Sequence, residues 1–411
     1  MNVLWITNIV LPPLSQHLKM REAIGGGWLY ASAVKLVENN SIELSVATVY
    51  SGDDLIDVRI NGIHYFLLPL HGAKYSQYNK SLEPIWKKIY DLVSPDVVHI
   101  HGTEYLHGLA YIRACSAKNV VISIQGLISI ISRYYTANLR YSDILKNITI
   151  KDILGGSSIF KQQKKMRKQG LLECEYLRSV KHIIGRTTWD RSHVWAINSQ
   201  ANYYHCNETL RSEFYNYTWD YDNCEKHSIF VSQGGYPVKG LHILLKALVL
   251  VKNKYPNTKL YVAGQNITDK PWYLMSGYGK IIRNLIKRNN LEDSVIFLGP
   301  LNEHEMCNRF LKCNLFVSPS SIENSSNSLG EAQLLGVPYL ASYVGGTSDL
   351  TDNDSSYLYR FEEIEVLAYK ICDIFCNIRE NLRNSILVKK YSPELNKNRL
   401  FEIYKLVSLS K

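Results

Sequence analysis

The sequence predicts an α/β protein in which two doubly wound parallel sheets follow one another along the chain. Short apolar segments typical of buried strands alternate with segments of helical spacing. The alternation stops at a polar stretch, residues 220–226, and then begins again. The chain has 411 residues, which is too long for one ordinary core. We therefore expect a first domain over residues 1–219 and a second over residues 220–390.

The first half of the chain carries the first alternating series. Strands are expected at residues 3–7, 44–50, 97–101, 120–125 and 182–187, and helices at 28–38, 107–117 and 171–180. A long loop, not a G-x-G-x-x-G turn, follows the first strand, which argues against a nicotinamide or flavin dehydrogenase. That loop ends in Gly25, Gly26 and Gly27. Two interpretations of these glycines stay open, a backbone turn that closes over phosphate oxygens and a flexible hinge.

The second half repeats the pattern. Strands are expected at residues 229–231, 260–263, 295–298, 315–318 and 339–342, and helices at 241–254, 303–313 and 329–335. Residues 393–409 again have helical apolar spacing. Both halves thus show the rhythm of a sheet with helices on its two faces.

Between residues 127 and 170 the rhythm breaks. This segment ends in the densest basic run of the chain, which begins at Lys161 and ends at Lys168. One interpretation is a solvated helix face. The other is an interfacial element that rests on anionic lipid with the help of apolar side chains. The apolar candidates are Ile128, Ile130, Ile131, Tyr134 and Tyr135.

Composition limits the partners and the compartment. The net charge of +10 implies an anionic partner, either a nucleoside diphosphate, acidic phospholipid or nucleic acid. We do not expect nucleic acid, because zinc spacing, an aromatic RNA-binding signature and a helix-turn-helix are all lacking. No run is long enough to span a bilayer, and the apolar residues 1–11 lack a basic region and a cleavage site. The eight scattered cysteines are expected to be reduced, so the sequence predicts a cytoplasmic protein.

One polar stretch, residues 318–346, has the pattern of a ligand site. Glu323 and Glu331 are separated by seven residues, and between them stand small polar side chains instead of a hydrophobic period. A buried strand precedes this run and a short helix follows it, and in open α/β sheets ligands bind at that junction. The N–H groups and a capping side chain of the run suit a phosphate, and the carboxylates suit the hydroxyls of a ribose or hexose. The residues of the run are Asn324, Ser325, Ser326, Asn327 and Ser328.

The same stretch carries a resemblance to a known family. The pair Glu323-x7-Glu331 is preceded by Ser318-Pro319-Ser320 and followed by Gly336-Val337-Pro338 and Gly345-Gly346. This pattern resembles the donor-site signature of retaining glycosyltransferases of the GT-B fold, glycosyltransferase family 4 in particular. The resemblance implies two Rossmann-like domains facing a central cleft, with a final helix at residues 391–411 that crosses back to the first domain.

The resemblance also implies an activity. A hexosyl unit would pass from a nucleoside-diphosphate sugar to a hydroxyl of a glycan or lipid-linked acceptor, with retention of configuration. Such a transfer belongs to polysaccharide or glycoconjugate assembly of the bacterial type, at the inner face of a membrane or in the cytoplasm. It uses neither a metal nor a cofactor.

Site residues follow from the same resemblance. Lys239-Gly240 is similar to the family's phosphate-binding segment, in which an Arg six residues earlier clamps the diphosphate; here Gln233 takes its place. An amide cannot neutralise a phosphate, which leaves open weaker donor binding, another cation, or a non-catalytic nucleotide-sugar-binding or scaffold relative. Residues 99–102 are similar to a segment whose second histidine, here His101, points toward the sugar.

The predicted roles are therefore of two kinds. Catalytic residues are His101, Glu323 and Lys239. Donor-binding residues are Gly26, Gly27, Gln233, Asn324, Ser325, Ser326, Asn327, Ser328 and Glu331. A metal site formed by His99, His101, Glu104 and His107 is a weaker alternative to a buried His99 and a cleft-facing His101. The polar clusters at residues 186–193 and 207–211 are given no chemistry; they would line the acceptor side or fasten the domains.

Overall fold

The computed structural model describes residues 1–20, 26–351, 354–377, 380–383 and 385–410. The chain forms two compact units. Unit 1 comprises residues 1–129, 168–212 and 389–411, and unit 2 comprises residues 130–167 and 213–388. Each unit is built on its own sheet.

Most strands of the described residues lie close to where the apolar runs predicted them, but four were not predicted: Ile56–Ile60, Ile63–Pro69, Asn202–His205 and Leu358–Tyr359. In chain order they are β1 Asn2–Ile6, β2 Glu43–Tyr50, β3 Ile56–Ile60, β4 Ile63–Pro69, β5 Val97–His101, β6 Val120–Ser123, β7 His182–Gly185, β8 Asn202–His205, β9 Glu225–Val231, β10 Lys259–Ala263, β11 Val295–Gly299, β12 Cys313–Ser318, β13 Tyr339–Ser342 and β14 Leu358–Tyr359.

The helices of the described residues flank these sheets. They are α1 Pro12–His17, α2 Gly27–Val37, α3 Leu82–Val93, α4 His107–Ala114, α5 Ile128–Ile131, α6 Tyr141–Lys146, α7 Ile150–Leu154, α8 Ile159–Arg178, α9 Thr188–Ile197, α10 Leu241–Lys254, α11 Gly277–Arg288, α12 Glu303–Lys312, α13 Asn327–Leu335, α14 Thr347–Leu350, α15 Ile364–Asn377, α16 Ser385–Lys390 and α17 Pro393–Ser408. Within the described parts of the chain, none of them combines the length and the apolar composition that crossing a bilayer requires.

The sheet of unit 1 has the strand order β3-β4-β2-β1-β5-β6-β7-β8. Its neighbours pair in parallel except at the edge, where β3 and β4 form an antiparallel hairpin. The turn of that hairpin is Asn61-Gly62, with φ of 50° and 78°. Positive φ at both central residues is what a two-residue hairpin turn requires. The hairpin was not predicted, although the Asn-Gly signal is present in the sequence.

The sheet of unit 2 has the order β11-β10-β9-β12-β13-β14, and the described pairs are all parallel. Strands β9 and β12 are interior. The last four residues of β9 and the first five of β12 are buried, as in a sheet covered on both faces. Their carboxyl ends lie side by side, so the loops that follow β9 and β12 meet at one edge of the sheet. The predicted fold class, α/β with two Rossmann-like doubly wound domains, is confirmed.

Residues 130–167, predicted to belong to the first domain, fold with unit 2. The carboxylate of Asp152 accepts the backbone N–H of Gly277 at the start of α11 (2.8 Å) and thereby caps that helix. The hydroxyl of Thr149 donates to the carbonyl of Met275 (2.8 Å), and the imidazole of His242 donates to the carbonyl of Ala137 (2.8 Å). Side-chain contacts to a distant helix end therefore fix the segment, and a local sequence pattern cannot show them.

The expectation that Ile128 and Ile130 present an apolar surface is wrong. Both side chains are buried, Ile131 and Tyr135 are partly buried, and Tyr134 alone of the five is largely exposed. The basic side chains of the run are exposed, as a helix with a solvated face requires: Lys161, Lys164, Lys165, Arg167 and Lys168.

The C-terminal helix α17 packs in unit 1. Ser392 caps it by accepting the N–H of Leu395, and Pro393 occupies its first turn, where a missing N–H costs nothing. Its buried face includes Tyr404, whose hydroxyl accepts a hydrogen bond from the indole of Trp5 on β1 (2.8 Å). The helix is thus held to the centre of the sheet.

Candidate functional site

The loop between β12 and α13 carries the predicted donor residues. Ser326 accepts the backbone N–H of Leu329 through its side chain, so the helix begins at Asn327, two residues before its predicted start. The start of the loop is held to the neighbouring strand, because the hydroxyl of Ser342 on β13 donates to the carbonyl of Ser320 (2.5 Å). These two hydrogen bonds hold a polar loop at the carboxyl end of an interior strand.

A second loop, after β9, meets the first. The chain makes a 3₁₀ turn at Pro237–Lys239, and Gly240 then adopts φ of 67° before α10 begins. The backbone N–H of Ser321 donates to the carbonyl of Val238 (2.7 Å), which joins the two loops. Lys239 and Glu323 thereby come together, with Nζ 2.9 Å from Oε2.

The Lys239–Glu323 ion pair is largely covered, with 22% and 19% of the two side chains exposed. Burial by itself lowers the pKa of Lys239, but the Glu323 carboxylate, and to a lesser degree Tyr236, reverse this effect and raise it above its ordinary value. Lys239 is therefore a fixed cation at neutral pH. The charge lies at the carboxyl edge of the sheet, where the loops after β9 and β12 meet.

Two glycines let the backbone approach this pair closely. A Cβ on Gly240 would stand 1.6 Å from the carbonyl oxygen of Pro319, and one on Gly345 would stand 1.9 Å from that of Glu323. The backbone N–H of Gly346 also donates to the Glu323 carbonyl (3.0 Å). Gly345 has φ of 55°, a conformation that side chains disfavour. The close backbone contacts thus explain why glycine, which has no Cβ, stands at these two positions.

We predict that Gly345→Ala displaces Glu323 and lowers the free energy of unfolding by about 1 to 3 kcal/mol, because strain and a backbone clash add. Gly235→Ala is the matched control, since a Cβ there meets nothing within 4 Å and its φ is not positive. Urea unfolding of both variants measures the effect. Equal stabilities would show that the Gly345 contact is not required.

The other predicted donor residues differ in accessibility. Glu331 lies about one turn inside α13, as expected, but it is only 2% exposed, so protein atoms cover its carboxyl group. Asn324 is also buried, whereas Ser325, Ser326, Asn327 and Ser328 are partly exposed. A ligand at this edge would therefore meet the serines and Asn327 before it reached either buried side chain.

Gln233, which stands where the family has an arginine, is exposed. Its Oε1 accepts a long hydrogen bond from the hydroxyl of Tyr236 (3.4 Å). The side chain thus adds no positive charge to the loop, and Lys239 is the cation of this segment.

The remaining predicted residues lie in unit 1. Gly26 caps α2 with φ of 87°, and a Cβ there would clash with the side chain of Ile9, so its glycine has a local packing role. Gly27 is the first residue of α2, and Gly25 lies outside the described residues. These observations leave the phosphate and hinge interpretations as they were.

His99 and His101 stand at the end of β5 in different environments. His99 shares hydrogen bonds with the hydroxyls of Tyr404 (2.6 Å) and Ser123, which fits a satisfied core histidine. His101 is buried against the ring of Trp5 (centroids 4.4 Å apart), and in the described residues neither of its ring nitrogens has a hydrogen-bond partner. Burial, and then His99, lower the pKa of His101 well below its usual value, so the ring is neutral and offers one donor and one acceptor.

A pocket with a cavity volume of about 50 Å³ adjoins His101 in unit 1. Its floor includes a buried ion pair between Arg186 and Glu208, whose carboxylate also accepts from the amide of Gln125 (2.6 Å). The sequence marked Arg186 and Glu208 as polar clusters but could not pair them. Among the described residues, no group of three or more His, Cys, Asp and Glu side chains is placed to hold a metal ion.

Sequence reasoning also missed a buried carboxyl group of unit 1, and it did not predict the environment of Glu104. Glu173 on α8 is fully buried and accepts hydrogen bonds from the backbone of Ile128 (3.0 Å) and Ser129 (2.7 Å). Burial raises the pKa of Glu104 to about 7, with the nearby Glu173 adding to the shift. The signal for Glu173 was an acid between apolar residues of a helix, with Glu175 two positions later; this pattern does not by itself distinguish a buried carboxyl group from an exposed one.

The two sheets and the loops described above are those of the GT-B glycosyltransferase fold, which has two Rossmann-like domains. Solved structures of this fold are similar to the present one. Sucrose-phosphate synthase from Thermosynechococcus elongatus has a TM-score of 0.66 at 14% identity, and the similarity covers 100% of this chain and 97% of that one. HepE from Anabaena, in complex with UDP-glucose, has a TM-score of 0.64 at 16% identity, over 98% and 99% of the two chains. At these identities the likeness shows the fold.

The resemblance of unit 2 to glycosyltransferases is confirmed for the group as a whole, whereas family 4 and the retaining mechanism stay predictions. Residues 222–386 match the sequence model of the family "Glycosyl transferases group 1". The uncharacterized glycosyltransferase YqgM of Bacillus subtilis is 30% identical over 147 residues, which are 36% of this chain. The matched stretch spans 38% of that relative's own length. The matched family segment contains Lys239, Glu323 and Glu331.

Proposed function

We propose that this protein is a retaining glycosyltransferase that moves a hexosyl unit from a nucleoside-diphosphate sugar to a hydroxyl of a glycan or lipid-linked acceptor. The observation that carries the proposal is the Lys239–Glu323 contact, 2.9 Å long, at the carboxyl edge of a sheet within the matched family segment. The bound UDP-glucose of HepE, a protein of the same fold, supports a nucleotide-sugar donor.

The bond to be broken in such a donor joins the anomeric carbon of the sugar to a phosphate oxygen. A cation beside a carboxylate suits this bond, because the cation can stabilise the phosphate on one side and the carboxylate can bind the sugar on the other. Lys239 would hold the departing diphosphate, and Glu323 would accept hydrogen bonds from sugar hydroxyls. In the proposed reaction the acceptor oxygen bonds to the anomeric carbon on the face that the diphosphate leaves, and the acceptor proton passes to the leaving phosphate.

The proposed reaction uses neither a metal nor a cofactor, because Lys239 and the helix end stabilise the negative charge. The acceptor belongs to the assembly of a polysaccharide or glycoconjugate of bacterial type. We further propose that the protein works in the cytoplasm at an anionic membrane surface, which the exposed basic run from Lys161 to Lys168 supports. In this proposal nucleic acid is not a partner.

Thermal unfolding with a panel of nucleotide sugars tests the proposal. The true donor at a hundred times its dissociation constant should stabilise the protein by about 2.7 kcal/mol, and the corresponding assay should release nucleoside diphosphate. A donor that binds without turnover would favour the non-catalytic relative that Gln233 suggests. If no nucleotide sugar shifts the unfolding temperature, the proposed donor site is wrong.

We expect Glu331→Ala to raise the donor Michaelis constant more than it lowers turnover. A carboxylate that holds both ribose hydroxyls contributes about 1 to 3 kcal/mol of binding, roughly 5- to 150-fold in the constant. Because Glu331 is buried, the variant's unfolding temperature is measured first, and Glu331→Gln, which keeps the volume, serves as the control. Unchanged donor affinity in a folded Glu331→Ala variant would contradict the role.

A further inference from the structure

A group of exposed apolar side chains lies on unit 2 in and beside the segment of residues 130–167. On α6 and α7, Leu145, Ile150, Ile153 and Leu154 face solvent. Residues 271–274 add Trp272, Tyr273 and Leu274, all exposed. Scattered apolar residues are ordinary on a protein surface, but a group drawn from several neighbouring elements is typical of an interaction site.

Direct contacts show that these elements are neighbours. Thr149, the cap of α7, donates its hydroxyl to the carbonyl of Met275, the residue after the exposed 271–274 stretch. The side chain of Asn284 on α11 donates to that of Asn147, just after α6 (3.1 Å), and Asp152 of α7 binds the start of α11. The two short helices and the 271–274 loop are thus held against the same helix.

The segment around this surface is strongly basic. Residues 130–167 contain eight Lys and Arg side chains and two acids. One of the acids, Asp152, is buried in its capping role, so Asp143 is the exposed one. Lys146 and Lys151, at the ends of the apolar positions on α6 and α7, are both exposed, as is Lys161 at the start of α8.

We propose that α6, α7 and residues 271–274, named here the insertion surface, dock unit 2 onto an anionic lipid bilayer. Leu145, Leu154 and Trp272 enter the headgroup region, while Lys146 and Lys151 pair with lipid phosphates. Membrane elements that lie at the bilayer interface typically combine aliphatic and aromatic side chains with lysine. The apolar atoms leave water, while the ammonium groups stay at the level of the lipid phosphates. The surface differs from the apolar group expected at residues 128–135 and supplements the basic run.

The positive charge of residues 130–167 favours an anionic membrane over a protein as the partner of the insertion surface. A protein partner of the same character would need acidic groups arranged to match, whereas an anionic membrane presents them everywhere. Each basic side chain near such a surface strengthens binding about fivefold, and this contribution weakens with salt. The inference rests on the membrane part of the proposed function and not on glycosyl transfer, so vesicle binding and donor binding fail independently.

Sedimentation of the full-length protein with vesicles tests the proposal. The wild type should bind vesicles of phosphatidylglycerol with phosphatidylcholine at low salt and bind weakly to phosphatidylcholine alone. Leu145→Ser with Leu154→Ser should weaken the binding by about tenfold or more, because two apolar side chains no longer leave water. The matched control is Leu92→Ser with Leu409→Ser in unit 1. The exposed fractions of these side chains, 57% and 83%, are close to the 58% and 82% of Leu145 and Leu154.

A second pair of variants keeps the proposal testable if the serine variant misfolds. Lys146→Glu with Lys151→Glu should weaken the salt-sensitive part of the binding by about 25-fold or more, at about fivefold for each lost lysine. Lys87→Glu with Lys88→Glu on α3, an equal change of charge at exposed positions, should weaken it far less. Wild-type protein that ignores anionic vesicles overturns the proposal. So does a vesicle-free dimer that the Leu145→Ser, Leu154→Ser variant dissociates, because the surface would then be an interface between copies of the chain.

Discussion

Replacing Lys239 by alanine is expected to lower turnover of the donor by about two to three powers of ten, the effect of losing one preorganised group that stabilises transition-state charge. The charge on the leaving diphosphate grows as the bond to the sugar breaks, so the contact strengthens in the transition state. Nucleoside-diphosphate affinity should fall much less than turnover. Steady-state kinetics and isothermal calorimetry measure the two effects.

The control for Lys239→Ala is Arg309→Ala. Arg309 pairs with Glu225 (3.1 Å), the first residue of β9, at the end of the strand opposite to the candidate site. Loss of this ion pair should cost stability without lowering turnover. Gln233→Arg should in addition tighten nucleoside-diphosphate binding, because a guanidinium holds phosphate oxygens in a bidentate fork and an amide does not. Intact turnover and affinity in Lys239→Ala would place the diphosphate elsewhere.

Glu323→Gln is expected to lower turnover by about a hundredfold while nucleoside-diphosphate affinity stays equal or rises. The amide keeps the volume of the carboxyl group but accepts sugar hydroxyls less strongly. Lys239 also loses the carboxylate that neutralises it, which leaves its charge for the phosphate. A nucleoside diphosphate that bound far more weakly to this variant would contradict the assignment of Glu323 to the sugar.

The pH profile of Glu323→Gln provides an independent readout. In the native protein Glu323 raises the pKa of Lys239 against the effect of burial. Without the carboxylate, burial lowers that pKa and only the contribution of Tyr236 opposes it. The alkaline limb of the pH–rate profile should therefore move to lower pH in the variant, because Lys239 loses its proton earlier. The same alkaline limb in both proteins would show that Lys239 is not the group that titrates.

Local patterns predicted those parts of the fold that local chemistry determines. The apolar runs located strands such as β5 and β13 to the residue, and Gly336 and Pro338 marked the end of α13. Asn61-Gly62 and the alternating residues on either side are a local signal for the β3–β4 hairpin, although the predicted strands do not include it. The long α8 was predicted only in its second half, because its first turns lie in the basic run.

Local sequence patterns did not predict features that depend on contacts between residues far apart in the chain. Residues 130–167 were placed in the first domain because they follow it in the chain. Asp152, however, binds Gly277 at the start of α11 and Thr149 binds Met275 just before it, both more than 120 residues later. Ile128 and Ile130 looked like surface candidates beside a basic run, but both side chains are buried. A charged run shows which face of a helix meets water and says nothing about which side chains another element covers.

The sequence by itself determined that the chain is an α/β protein with two doubly wound sheets and that a strand, a polar loop and a helix with two glutamates form a candidate donor site. These features depend on residues near one another in the chain, whose spacing sets strand, turn and helix. Only the tertiary structure decided that Lys239 contacts Glu323, that Gly345 must lie against the Glu323 carbonyl, and that Tyr404 joins Trp5. Each of these contacts links positions between 22 and 399 residues apart, and folding alone brings such positions together.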